Sequence, residues 1–145
     1  MTSALLTLDE QICFALYSAS RAVTGRYRQL LEPLGLTYPQ YLVLLVLWEG
    51  APATVSQLGE RLQLDSGTLS PLLRRLDAAG LVARTRRSSD ERTVDVSLTA
   101  EGRALQQRAG HVPEAICSAT GLAPERLADL QSAVARLALE VRSTL

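Results

Sequence analysis

What this chain lacks narrows its function first. Two cysteines, Cys13 and Cys117, are too few and too far apart for a disulfide-stapled scaffold. With a single histidine, His111, no Cys/His cluster of metal-binding spacing can be assembled, so neither zinc, another metal nor a cofactor is expected. No uninterrupted apolar run reaches the roughly 18 residues of a membrane span, so no membrane partner is expected. Met1 to Leu8 has neither the basic start nor the small-residue cleavage site of a signal peptide, which makes a cytoplasmic location the expectation. Net charge is also missing, fifteen basic residues balancing fifteen acids.

What is present suits one globular domain, 1–145. Apolar residues make up 47% and charged residues 21%, enough to bury a core and too little charge for a disordered chain. No internal repeat, linker or low-complexity segment divides it. All fifteen basic residues are arginine, and they are not evenly placed. From Arg61 to Arg92 there are seven arginines (61, 74, 75, 84, 86, 87 and 92) against four acids (65, 77, 90 and 91). That segment is therefore +3 and the rest −3. A solvated charged face and a nucleic-acid face both fit this clustering.

Helix signals dominate the pattern. Thr7 and Glu10 have capping-box spacing, and Ile12, Leu16, Val23, Tyr27, Leu30, Leu31 and Leu34 recur at helical intervals up to Gly35. Thr37 with Gln40 predicts a second helix over the apolar run Tyr41 to Trp48, closed by Gly50. Thr54 with Gln57 opens a third, through Leu62. Asp65 is placed to cap a fourth, with Leu69, Leu72, Leu73 and Leu76 on one face and Gly80 as its stop.

After Gly80 the period changes to two. Leu81 to Thr85 reads as a short strand, and Thr93 to Leu98 alternates Val94, Val96 and Leu98 against Thr93, Asp95 and Ser97. The polar stretch Arg86 to Arg92 between them predicts a hairpin with a charged tip. Thr99 caps a further helix interrupted near Pro113. A last helix, Pro124 to Val141, carries Leu127, Leu130, Val134, Leu137 and Val141 as a narrow seam of the kind two helices share.

Two short helices joined at Gln63-Leu64 and followed by a two-stranded hairpin predict a winged helix-turn-helix, over about 54–98. The fold class is mainly α with a small β-hairpin, and helices at about 8–35 and 100–143 are available for a homodimer. Ser66, Gly67 and Thr68 open the second helix, where hydroxyls and backbone N–H groups suit phosphates and base edges. Ser70, Pro71, Arg74 and Arg75 are expected to face outward beside them, the arginines suiting guanine edges or phosphates. Arg86, Arg87 and Arg92 on the hairpin suit the flanking minor groove of double-stranded operator DNA. A winged-helix domain used for protein contacts is the alternative.

The Asp90-Glu91-Arg92 segment behind this helix pair resembles the MarR family of dimeric repressors, over roughly residues 8 to 142. The resemblance implies that Asp90 and Arg92 stiffen the wing and that Arg92 approaches the minor groove. Three further segments narrow the likeness: Gln11-Ile12-Cys13-Phe14-Ala15-Leu16-Tyr17, Thr37-Tyr38-Pro39-Gln40-Tyr41-Leu42 and Leu64-Asp65-Ser66-Gly67-Thr68-Leu69. In this order they resemble the organic hydroperoxide resistance regulators, a redox-sensing branch of the family. That resemblance implies a repressor with Cys13 as the peroxide sensor and Tyr27 and Tyr38 as hydrogen-bond donors to it. It further implies control of a hydroperoxide-detoxifying enzyme's promoter, with organic hydroperoxide as inducer.

The residues can be weighed on their own. A free thiol with pKa about 8.5 is only a few per cent thiolate at pH 7, yet the thiolate is the nucleophile. With Thr7 as N-cap, Cys13 is the sixth helical residue, past most of the helix-dipole effect, and Asp9 lies one turn before it. Phenol donors are then needed. Tyr17, four residues on, shares the cysteine's helical face. Tyr27 lies about 21 Å along the same helix at about 1.5 Å per residue, so it reaches only the Cys13 of an antiparallel partner. A buried small apolar residue is the plain alternative for Cys13, and core packing for the tyrosines.

The branch contains a two-cysteine class, and Pro113-Glu114-Ala115-Ile116-Cys117 falls where its second cysteine is expected. There the resemblance implies that Cys117 resolves the sulfenic acid of Cys13 by an intersubunit disulfide, before irreversible over-oxidation. Burial as a small residue is the alternative. Two other functions stay open on sequence alone, a repressor released by a phenolic ligand and a thiol peroxidase. The absence of a CxxC and of a basic neighbour to Cys13 argues against the enzyme.

Overall fold

The computed structural model describes residues 6–145. Seven helices and three strands follow in the order α1 (Ile12–Leu31), α2 (Tyr38–Gly50), β1 (Ala53–Thr54), α3 (Val55–Leu62), α4 (Ser66–Ala78), β2 (Val82–Arg87), β3 (Asp90–Leu98), α5 (Ala100–Arg108), α6 (Val112–Thr120) and α7 (Pro124–Arg142). Short 3-10 turns, Leu8–Glu10 and Glu32–Leu34, flank α1. The chain forms two compact units: Arg28–Gly110, and the described part of Met1–Tyr27 with His111–Leu145.

The Arg28–Gly110 unit is built on α2. This helix is apolar all round, as a helix buried on every side must be, and Val43, Leu44 and Leu47 are closed to solvent. Both capping boxes predicted in this unit form. Thr37 Oγ1 accepts from the Gln40 N–H while Gln40 Oε1 accepts from the Thr37 N–H, and Thr54 and Gln57 repeat the exchange for α3. Leu58 of α3 and Leu69, Leu72, Leu73 and Leu76 of α4 pack inward, as their spacing predicts. Gln63, in the left-handed conformation at φ 59, turns the chain from α3 into α4. Gly80, at φ 77, ends the helical segment before β2.

The sheet has the order β1-β3-β2, all antiparallel. Sequence periodicity misses β1, because two residues carry no period. The hairpin is longer than predicted: β2 runs on to Arg87 and β3 starts at Asp90, leaving Ser88-Ser89 as the turn. The expected polar loop Arg86 to Arg92 is therefore mostly strand. Beyond the core both strand faces meet solvent, so no apolar alternation marks the pairing.

Two glycines are required by close approach. A Cβ on Gly102 would strike the Leu81 carbonyl oxygen, and one on Gly59 would lie 2.9 Å from the Leu64 carbonyl oxygen. Around Gly102 the Trp48 indole N–H donates to its carbonyl at 2.9 Å and Thr99 Oγ1 accepts from its N–H at 3.0 Å. Thr99 Oγ1 also donates to the Gly80 carbonyl at 2.6 Å. The start of α5 is thereby fixed to α2 and to the end of the α4 segment.

The second unit contains α1 as far as Tyr27, with α6 and α7. Thr7 corrects one expectation: its side chain makes no capping hydrogen bond, and Thr7 precedes only the 3-10 turn. The α-helix begins at Ile12, so Cys13 is its second residue, not its sixth. The interruption expected near Pro113 lies at 109–111, and Pro113 sits in the first turn of α6. No residue of α7 is buried, and Leu130, Val134, Leu139 and Val141 are exposed along it. Ile12, Phe14, Tyr17 and Val23 are exposed on α1. Among the described residues no single helix is long and apolar enough to cross a membrane; the pair Ile12–Leu34 and Tyr38–Gly50, bent by 74°, passes on length and composition only.

Candidate nucleic-acid interface and thiol site

The helix-turn-helix presents α4. Its N-cap Asp65 accepts from the Thr68 N–H at 2.7 Å, and this hydrogen bond holds the carboxyl below the ordinary carboxylate value. Ser66, Gly67 and Thr68 stand exposed in the first turn, where N–H groups lacking intrahelical acceptors make the positive end of the helix. Arg74 and Arg75 are exposed further along. Ser70 and Pro71 are half-buried on the same helix.

The wing is held by its own carboxylates. Asp90 Oδ1 accepts from the Arg92 main-chain N–H and Oδ2 accepts from Thr93 Oγ1, both at 3.0 Å. The carboxylate therefore fixes Arg92 through its backbone, and the Arg92 side chain is exposed. Arg86 is exposed on β2. Arg87 is committed differently: its Nε and Nη2 donate to the two oxygens of Asp95 at 2.9 and 3.0 Å. Hydrogen bonding to Asp95 raises the Arg87 pKa, and the same bond holds the Asp95 carboxyl below its ordinary value. Sequence alternation placed Asp95 outward with Thr93 and Ser97 but gave no sign of its partner. Two more arginines of the basic segment are paired, Arg61 with Glu49 and Arg84 with Asp77, each at 2.9 Å. Among the described residues Arg74, Arg75 and Arg92 form no ion pair.

The thiol residues fall in the other unit. Cys13 is free and exposed in the first turn of α1, where Ala15 is the first residue to donate back, to Gln11 O at 3.2 Å. Tyr17 is 58% exposed one turn further, with the Arg21 guanidinium 5.2 Å from its ring centre, a cation–π contact. Tyr27 is half-buried near the far end of the same helix. Cys117 is free and half-buried on α6, its Sγ 3.9 Å from the Leu122 carbonyl oxygen. Tyr38 belongs to the Arg28–Gly110 unit. Burial pushes its hydroxyl pKa up, as burial and then the nearby Tyr38 do for Tyr41, so both are protonated donors at neutral pH.

Comparison with known proteins adds to this geometry. Residues 26–108 match the family described as transcriptional regulator SarA/Rot. The chain is 46% identical over 129 residues to the organic hydroperoxide resistance transcriptional regulator of Bacillus subtilis (strain 168), covering 89% of this chain and 88% of that protein. It is 51% identical over 116 residues to the HTH-type transcriptional regulator TtmR of Methylorubrum extorquens (strain PA1), spanning 80% of this chain and 60% of TtmR. Reduced AbfR bound to DNA, a regulator of Staphylococcus epidermidis, superposes with TM-score 0.80 at 38% identity over 97% of this chain and 99% of that one. The helix-turn-helix with its three-stranded wing, together with these likenesses, places the chain in the MarR-type SarA/Rot family of winged-helix, DNA-binding transcriptional regulators, a family of regulators and not of enzymes.

Proposed function

We propose that this chain is a cytoplasmic, homodimeric repressor that senses organic hydroperoxides through Cys13 and leaves its operator when oxidised. The observation that carries the reading is the free thiol of Cys13, exposed in the first turn of α1. Ile12 and Phe14 beside it, 62% and 42% exposed, offer an apolar approach to an organic peroxide. The B. subtilis relative is named for organic hydroperoxide resistance, which supports the same inducer class.

In the proposed reaction the Cys13 thiolate attacks the distal oxygen of the hydroperoxide ROOH. The O–O bond breaks, a sulfenic acid forms, and the alkoxide takes the proton the thiol gave up to leave as the alcohol ROH. A second thiol then attacks the sulfenic sulfur, giving a disulfide and water. Cys117 of the partner chain is the proposed second thiol, with Tyr27 and Tyr38 donating hydrogen bonds and Tyr17 assisting. The dimer is supported by two features: Tyr27 stands about 21 Å along α1 from Cys13, and α7 has no buried residue of its own.

Mass spectrometry of the peroxide-treated protein, run beside a non-reducing gel, tests the sulfur chemistry. A dithiothreitol-reversible dimer containing a Cys13–Cys117 link between chains is expected. Cys117→Ser is expected to pass from sulfenic to sulfinic acid at Cys13 without forming it. Oxidation that leaves Cys13 unmodified would end the redox reading.

A further inference from the structure

Among the ion pairs of the described residues Arg61, Arg84 and Arg87, that of Arg87 with Asp95 has a geometry of its own. Arg61–Glu49 and Arg84–Asp77 are held by one hydrogen bond each, whereas Arg87 and Asp95 meet fork to fork through two. A bidentate guanidinium–carboxylate pair is both stronger and more directional than a single contact. Its placement on the hairpin matters as well. Arg87 is the last residue of β2, beside the Ser88-Ser89 turn, while Asp95 pairs across the sheet with Thr85, further from the tip. Asp95 points to the face opposite Val96, which is fully buried. The Arg87 side chain is therefore drawn back from the tip along the solvent face of the wing.

We infer that Asp95 limits affinity for DNA: it holds the Arg87 guanidinium off the duplex, so that a phosphate must displace a carboxylate already in place. The inference rests on the reading that this wing approaches DNA. Each phosphate contact contributes to the steepness with which binding falls as salt rises. A wing with Arg87 withheld binds more weakly at low salt and with a shallower salt dependence than its arginine count suggests. Asp90 acts in the opposite sense, because it fixes the backbone of Arg92 and leaves that guanidinium exposed.

The test measures binding of the reduced full-length protein, by fluorescence anisotropy across a salt series, to a duplex selected from a random pool. Wild-type protein that selects no duplex and binds no DNA at low salt would refute the DNA-binding reading itself. Given wild-type binding, Asp95→Asn is expected to bind several-fold more tightly at low salt, with the slope of log K against log salt steeper by about 0.9 for each wing that gains a phosphate. The gain should vanish in Asp95→Asn with Arg87→Ala, and Asp95→Glu, which keeps a carboxylate for the fork, should retain the wild-type slope. Thermal melting by circular dichroism establishes that each variant is folded, and Asp95→Ser serves the same purpose if the Asn variant is not. A folded Asp95→Asn with unchanged slope or weaker binding would overturn the inference, as would a gain that survives removal of Arg87.

Discussion

Arg74, Arg75 and Arg92 are the exposed cations of the basic segment that make no ion pair among the described residues, so each is expected to contribute to DNA binding. Replacing Arg74 or Arg75 by Ala should weaken binding and, where the contact is to a phosphate, lower the salt slope by about 1. Arg92→Ala should weaken binding while changing stability by no more than about 0.5 kcal/mol, as befits an exposed side chain. Anisotropy and thermal melting of the same preparations check both. Asp65 and Asp95 make a prediction in acid. Both carboxyls lie below their ordinary value in the folded chain, the first through the Thr68 N–H and the second through Arg87. Their contribution is therefore complete above the ordinary carboxylate value and is lost as pH falls through the lowered one. Denaturant midpoints followed downward in pH should fall less steeply for Asp65→Asn than for wild type. Side-chain commitments of this kind were only partly legible in the sequence. An N-cap such as Asp65 is a local relation readable from spacing, whereas Arg87–Asp95 depends on a cross-strand register that a one-residue shift abolishes.

At the scale of elements, legibility followed the strength of the local signal. Helices α2, α3 and α4 begin where their caps predict, because each cap bonds to an N–H three residues on and needs nothing distant. Thr7 and Glu10 have the same spacing, yet the backbone turns as 3-10 through Leu8–Glu10 and α1 starts afresh at Ile12. That shift moves Cys13 into the first helical turn, which the spacing argument had denied it. β1 escaped notice because its two residues are strand only through pairing with Val96 and Asp95. The junction at Gly102 offers the sharpest test of the packing. Gly102→Ala puts a methyl group against the Leu81 carbonyl and should cost about 1–3 kcal/mol, the usual range for overpacking. Thr99→Ala removes the cap of α5 and should cost about 1 kcal/mol. Both are measured by denaturant unfolding, with Trp48 fluorescence as a reporter placed at the junction itself.

For the whole molecule, the winged-helix order was readable because cap, apolar stripe and turn agree from Thr54 to Gly80 and alternation marks Thr93 to Leu98, whereas the outer hairpin carries no such signal. The homodimer that the sequence suggests through the helices at about 8–35 and 100–143 remains a proposal, since an exposed apolar face on α1 or α7 does not name what covers it. The proposed dimer predicts a pseudo-palindromic operator with half-site centres about one helical turn, roughly 34 Å, apart. Sedimentation at micromolar concentration should give a dimer; a monomer that binds the operator with full affinity would contradict it. The account's central claim, that oxidation of Cys13 controls DNA binding, is tested most directly by adding cumene hydroperoxide to the reduced protein–operator complex and following anisotropy. Wild type should release the DNA and rebind it after dithiothreitol, while Cys13→Ser stays bound throughout. Release from Cys13→Ser at the wild-type peroxide concentration would contradict the account.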